Sequence, residues 1–334
     1  MVVEPNEKNE DRSIDAALRP AYWDEYIGQT AVKENIALLI KAARERGEPI
    51  EHLFFHGPPG LGKTTLAYLI AREMNTQIKT TSGPAIERIG DLASLLTNLS
   101  SGEILFIDEV HRLNKAVEEV LYPALENRTI DIIIGKGPGA RSIQLELPPF
   151  TLVAATTRIS LLSSPLRSRF SGGTFRLDYY TTEEIEKILA RSSTILGVTL
   201  NKEAGSIIAA RSRATPRVAN RLLKRCRDYA QVHKFAKITR EVAEKTLTLL
   251  GVDECGLEEA DRRILHILIH KFGGGPVGLQ TLASAASEEN ATIEEVYEPY
   301  LLRLGFLERT PRGRVATEAA WTHIKKMPPQ KKLV

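Results

Sequence analysis

The run GPPGLGKT at residues 57–64 constrains the fold more than any other stretch of the chain. It has the spacing G-x-x-x-x-G-K-[ST] and lies between an apolar run, HLFFHG, and a helical pattern, KTTLAYLIAREM. That strand–turn–helix setting is what the chemistry requires. Gly57, Gly60 and Gly62 let successive backbone N–H groups curl around phosphate oxygens, and the helix N-terminus adds partial positive charge. A parallel sheet flanked by helices presents a loop in this way, so an α/β fold is expected. In this motif Lys63 bridges the β- and γ-phosphates of ATP, Thr64 offers a hydroxyl to Mg²⁺ and Thr65 contributes at the α-phosphate.

Two further apolar runs end in reactive side chains. EILFIDEVHRL places Asp108 and Glu109 at a strand end, where carboxylates are costly to bury without a cation or water to serve. Asp108 is expected to hold Mg²⁺ together with Thr64, and Glu109 to polarise the attacking water; a helix N-cap pair is the alternative. His111 follows, but no HExxH pair accompanies it. TLVAATTR ends in Thr156 and Thr157, either of which could meet the γ-phosphate. TPRVANRLLKRC starts a helix at Thr215 and Pro216, so Arg217 falls in the first turn, where a cation opposes the helix dipole and calls for an anionic partner.

With 334 residues the chain can form two or three domains. Neither the N-terminus nor any later stretch offers the run of about 18 apolar residues that a membrane span needs, and MVVEPNEKNEDRS lacks a signal-peptide core, so a cytoplasmic location is expected. Cys226 and Cys255 lack metal-type spacing and read as packing residues. Residues 1–13 are polar and read as a disordered leader, 14–180 as the large P-loop domain, 181–253 as a small helical bundle and 254–334 as a winged helix closing on the hairpin FLERTPRGRVAT. TAVKENIALLIKAARERG, near the start of the large domain, carries a helical period with Thr30 as cap and Gly47 as stop. The overall charge of +3 decides nothing about nucleic acid. Between Arg303 and Lys326, however, six basic residues face two acidic ones, and Arg309, Arg312 and Arg314 on the hairpin are assigned to DNA phosphates, without base reading.

LRPAYWDEYIGQ at 18–29, HGPPGLGKTTLA, IDEVHRL, VLYPALE, IGKGPGARSIQLELPPFTLVAATTR, SPLRSRF, TPRVANRLLKR, GGPVGL and FLERTPRGR together resemble the AAA+ ATPases. Within them they resemble the RuvB family over about residues 15–325. The resemblance implies an ATP-hydrolysing helicase that drives Holliday junction branch migration in recombination and repair. It implies a hexameric ring on duplex arms, a RuvA-type junction-binding partner on the hairpin at 130–150 and a RuvC-type resolvase. By the same resemblance Arg169 of SPLRSRF is an arginine finger acting on a neighbour's γ-phosphate, Thr157 is sensor 1 and Arg217 sensor 2. Leu18 and Arg19 cradle the adenine side and Tyr180 packs on the nucleotide. Glu126, Asn127 and Arg128 occupy a nucleotide-proximal segment that is usually more acidic and aromatic in the family. RFSGGTFRLDYY departs from the apolar run usual after the finger, and SAASEENATIEE departs in the C-terminal domain. A DNA-bound loader without translocation and a protein-remodelling ATPase are the rival readings; loaders lack this winged C-terminus and remodellers carry pore-loop aromatics instead of a basic wing.

Overall fold

The structure, a computed structural model, describes residues 14, 16–134 and 141–325. The expected leader at 1–13, the GKGPGA turn of the hairpin and Lys326 therefore lie outside the described residues. The chain divides into two compact units, one ending at Tyr180 and one beginning at Thr181.

The first unit alternates helices and strands. Its elements are α1 (Thr30–Arg46), β1 (Leu53–His56), α2 (Lys63–Glu73), β2 (Ile78–Ser82), α3 (Ile89–Thr97), β3 (Ile104–Asp108) and α4 (Lys115–Asn127). The antiparallel pair β4 (Thr129–Ile134) and β5 (Arg141–Glu146) follows, then β6 (Thr151–Thr156), the short α5 (Ser164–Arg167) and β7 (Gly173–Arg176). Five strands form one parallel sheet in the order β2-β3-β6-β1-β7. The three central strands are the apolar runs LFFH, ILFID and TLVAAT, almost wholly buried, as parallel strands covered on both faces must be. The edge strands β2, IKTTS, and β7, GTFR, are half-exposed and carry polar side chains, so no apolar run announces them.

The SerGlyGlyThr departure lies where β7 closes against β1. A Cβ on Gly172 would sit 2.8 Å from Leu53 Cδ2 and 3.0 Å from His52 O, while the Gly172 N–H donates to that same carbonyl at 2.9 Å. The glycine thus admits a close approach of backbone to strand. Helix α1 buries Ile36, Ile40 and Ala43 and ends at Gly47 with φ +67. Its N-cap is Gln29, with φ 53, in place of the expected Thr30. The Gln29 side chain makes no cap; its amide brackets the Asp178 backbone, donating to O at 2.6 Å and accepting from N at 3.1 Å. Phe54, Leu92, Leu96, Leu105, Ile107, Leu121, Leu152 and Phe170 form the core between the sheet and α3 and α4, each worth about 1.5–3 kcal/mol when fully buried.

The second unit begins with α6 (Thr182–Ile195), α7 (Lys202–Ala210), α8 (Pro216–Val232) and α9 (Arg240–Leu249). Cys226 is buried among them, its thiol pushed up to about 12 by burial. Then come α10 (Glu259–His266), α11 (Leu279–Ala286) and α12 (Glu298–Arg303). The antiparallel hairpin β8 (Leu307–Thr310) and β9 (Gly313–Ala316) precedes α13 (Glu318–Lys325). Leu265, Leu268, Leu282, Leu301 and Phe306 centre the core of these later elements. Gly313, with φ +134, lies so close to Val277 that a Cβ would reach within 2.3 Å of its carbonyl oxygen, and Val277 and Arg314 exchange backbone hydrogen bonds. The SAASEENATIEE departure includes Ser287, which ends α11 in the left-handed conformation, φ 56. Among the described residues no helix is long and apolar enough to cross a membrane.

Candidate functional site

The loop between β1 and α2 is held open from its own backbone. Gly57, Gly60 and Gly62 take φ of 143, 80 and 98, a region costly for any residue with a Cβ. Lys63 is 6% exposed, and its ammonium donates to Gly57 O at 2.8 Å and Pro58 O at 2.9 Å. Two tyrosines brace the loop at Leu61. Tyr26 Oη donates to Leu61 O at 3.3 Å, Tyr180 Oη to the same carbonyl at 3.2 Å, and the two hydroxyls lie 3.3 Å apart. Burial, then the neighbouring Tyr180, raises the Tyr26 pKa well above its ordinary value, so it stays a donor. A Cβ on Gly62 would lie 2.8 Å from Tyr26 Oη. Tyr180 is only 2% exposed: its ring is buried and its hydroxyl braces the phosphate loop. Leu18 is likewise buried and Arg19 exposed. Thr65 is half-buried in the first turn of α2.

Asp108 ends β3 beside the loop. Thr64 Oγ lies 3.5 Å from Asp108 Oδ2, and Asp108 Oδ1 accepts from the Glu109 N–H at 2.9 Å. A hydroxyl and one carboxylate oxygen this close suit Mg²⁺, which takes one or two carboxylates and completes its shell with phosphates and water. Glu109 adopts φ 48, strained for a non-glycine residue. Gly83 makes room for it, since a Cβ there would stand 2.4 Å from Glu109 O. The Glu109 carboxylate is aimed by two neighbours. Thr157 Oγ donates to Oε2 at 3.1 Å, and His111 Nδ1 lies 3.1 Å from the same oxygen and 2.7 Å from Thr156 Oγ. Thr156 is fully buried and engaged by His111 and the Arg158 N–H, so of the two threonines it is Thr157 that faces Glu109.

Arg169 and the 126–128 segment stand elsewhere. His52, immediately before β1, accepts from the Leu152 N–H at Nδ1 and donates from Nε2 to Leu125 O at 3.2 Å, and its carbonyl accepts from Gly172. Glu126, Asn127 and Arg128 therefore follow a residue fixed at the N-terminal edge of the sheet, and Arg169 lies just before another. The phosphate loop leaves the opposite edge, one strand length away, about 13 Å at about 3.3 Å per residue. The reason is topological: α4 returns antiparallel to β3. Glu126, Asn127 and Arg128 are all exposed there, at the edge away from this chain's own phosphate loop. Glu126 instead pairs with Arg169 at 3.1 Å.

In the second unit Arg217 is exposed in the first turn of α8. The hairpin arginines divide. Arg309 donates to Glu298 at 2.9 and 2.8 Å, and Arg314 to the same carboxylate at 3.0 and 3.2 Å. The Glu298 side chain is 1% exposed. α12 thus sets a buried carboxylate behind the hairpin, and in this structure both guanidiniums pair with it. Arg312, at the turn, is exposed. Sequence reasoning missed Tyr26, Gly83 and Tyr122, and weighed His111 only for a metal role that it set aside; a tyrosine inside LRPAYWDEYIGQ and a histidine two residues after Glu109 were the available signals.

Comparison with known proteins agrees with this architecture. Residues 18–177 match the Holliday junction DNA helicase RuvB P-loop domain, 180–253 the RuvB AAA lid domain and 254–325 the RuvB C-terminal winged helix domain. The Holliday junction branch migration complex subunit RuvB of Dehalococcoides mccartyi is 58% identical over 315 residues, covering 94% of this chain and 90% of that protein. The Thermotoga maritima RuvB Holliday junction branch migration motor superposes with a TM-score of 0.85 at 49% identity, covering 94% of this chain and all of that one. A single-substitution mutant of the same motor gives 0.86 at 50% identity, over 93% of this chain and 99% of that one. Three domain matches in unbroken order and a relative at this identity place the chain in the RuvB family.

Proposed function

We propose that this protein is an ATP-driven DNA motor that moves the branch point of Holliday junctions, with each hydrolytic site completed across a subunit boundary. One observation carries the shared site: Arg169 stands at the edge of the sheet opposite its own phosphate loop, beside residues fixed by His52. That placement supports a role for this cation at a nucleotide on another chain. Such fingers accelerate phosphoryl transfer by about 10³–10⁵.

Within one chain the loop amides and Lys63 hold the phosphates, and Thr64 with Asp108 holds Mg²⁺. When bound, Mg²⁺ neutralises charge that develops between the β- and γ-phosphates. Glu109 takes the proton of the attacking water, its carboxylate aimed by Thr157 and His111. Thr157 sits as sensor 1 beside that base, and Arg217 serves as sensor 2 on the lid. Leu18 and Arg19 flank the adenine, and Asn127 and Arg128 share the subunit face with Arg169. The assembly is a hexameric ring on duplex arms, with domains at 14–180, 181–253 and 254–334. Arg312 contacts DNA phosphates without reading bases. A RuvA-type partner docks on the hairpin formed by β4 and β5, where Ile143 is 43% exposed, and a RuvC-type resolvase joins the complex. The site of action is the cytoplasm.

The test is branch migration of a synthetic four-way junction with ATP, Mg²⁺ and a cognate RuvA. The native chain should separate the arms, while Lys63→Ala and Arg169→Ala should not. Native protein that hydrolyses ATP yet never moves a junction would sink the motor reading in favour of a loader.

A further inference from the structure

Arg169 is held by one face of α4. Glu118, Tyr122 and Glu126 recur there at spacings of four, the spacing that stacks side chains along a helix. Each engages the segment that carries the finger. Ser163 Oγ, which caps α5, donates to Glu118, and Tyr122 Oη lies 3.1 Å from Ser163 Oγ and 3.3 Å from Glu118 Oε1. The Arg169 guanidinium lies over the Tyr122 ring at 4.4 Å, pairs with Glu126 Oε1 at 3.1 Å and donates to Pro165 O at 2.6 Å.

This arrangement does little for the stability of the fold. The Glu126 side chain is 52% exposed, and ion pairs so open to water add little. It also leaves one of the guanidinium nitrogens unsatisfied: Arg169 Nε is buried without an acceptor among the described residues, a condition a structural arginine avoids. What it does accomplish is order. A free arginine samples many rotamers, and a flat ring with a carboxylate at its rim confines it to few.

We infer that Tyr122 and Glu126 are positioning residues for the arginine finger, holding Arg169 at the subunit face in an ordered state before a neighbour's phosphate arrives. The inference rests on the shared-site reading above. Because α4 starts seven residues after Asp108, the same helix joins a chain's own Mg²⁺-binding strand to the finger it lends to the next chain.

The test uses full-length chains in mixed rings. Arg169→Ala subunits keep an intact phosphate loop but lack a finger; Lys63→Ala subunits keep the finger but lack the loop lysine. Mixed, they should regain ATPase activity that neither has alone. Adding Tyr122→Leu to the finger-donating Lys63→Ala chain should lower the kcat of the mixture about tenfold with KM within about twofold, as expected for a misaligned catalytic group. Added to the Arg169→Ala chain, the same substitution should cost less than about twofold, since the finger it would position is gone. Tyr122→Phe in the donor, which keeps the ring, should restore the rate, and Glu126→Ala in the donor should act in the same direction as Tyr122→Leu. Equal losses in both positions, or no loss in the donor, overturn the positioning role while leaving the shared site standing. A mixture of unmodified donor and acceptor chains that stays inactive overturns the shared site itself, and the positioning role with it.

Discussion

The division of labour among the hairpin arginines gives the sharpest prediction. Glu298 is buried and accepts four hydrogen bonds, two from Arg309 and two from Arg314, all between 2.8 and 3.2 Å. The Arg309 side chain remains 48% exposed, but that of Arg314 is only 15% exposed. Glu298→Ala leaves the Arg314 cation buried without its carboxylate. Removing one partner of such a buried pair costs about 3–5 kcal/mol. At about 1.36 kcal/mol per tenfold, amide exchange across residues 307–316 should quicken by roughly two to four decades. Arg314→Ala should move exchange the same way by less, because Arg309 still neutralises the carboxylate. Arg312→Ala, at the exposed turn, should leave exchange within about 0.5 kcal/mol of native, yet flatten the dependence of duplex affinity on salt by about 0.9 in log–log slope. Hydrogen exchange read by mass spectrometry and salt titrations of duplex binding separate the two effects. If Arg314→Ala flattens the salt slope while exchange stays native, Arg314 is a phosphate contact and the structural role given to it is wrong.

Three further substitutions probe other joints. Gly83→Ala drives a Cβ to 2.4 Å from Glu109 O; steady-state kinetics should show kcat down by about a hundredfold, with nucleotide affinity by calorimetry near native, and unchanged kcat would refute the close fit. His52 has its pKa lowered by burial first and is held at both ring nitrogens. Because the folded state prefers the neutral ring, stability is complete above the ordinary value of about 6.5 and declines as pH falls from there toward the lower folded pKa. Urea midpoints of the native chain should drop between pH 7.5 and 5 while those of His52→Gln stay flatter; parallel curves would remove His52 as the cause. Gly172→Val meets Leu53 and His52 O at 2.8 and 3.0 Å and should destabilise the first unit by about 1–3 kcal/mol, an expectation that an unchanged denaturation midpoint would contradict.

How much of this was legible in the sequence depends on whether the signal was local. The phosphate loop was, because its glycines, lysine and threonine are consecutive and their strand and helix are adjacent. The three central strands were, because a strand buried on both faces must be a run of apolar residues. β2 and β7 were not: edge strands half-open to water carry Lys79, Thr80 and Arg176, a pattern no different from a loop. The pairing of the hairpin arginines with Glu298 was hidden for a related reason. Counting charge between Arg303 and Lys326 starts after Glu298, five residues before Arg303 in sequence and in contact with two of the arginines in space. The contact of Tyr180 with Tyr26 was not legible either, because it joins residues 154 positions apart, a pairing that spacing along the chain cannot express.

The position of Arg169 shows the same limit and what replaces it. SPLRSRF says only that a cation follows a short helix; the edge of the sheet on which the chain emerges sets where that cation stands relative to the phosphate loop. The sheet order β2-β3-β6-β1-β7, with every strand parallel, puts all strand ends bearing Walker residues on one edge and the returns from α4 and α5 on the other. With the strands parallel, Arg169 emerges toward the edge away from its own phosphate loop, and the proposed shared site rests on that placement.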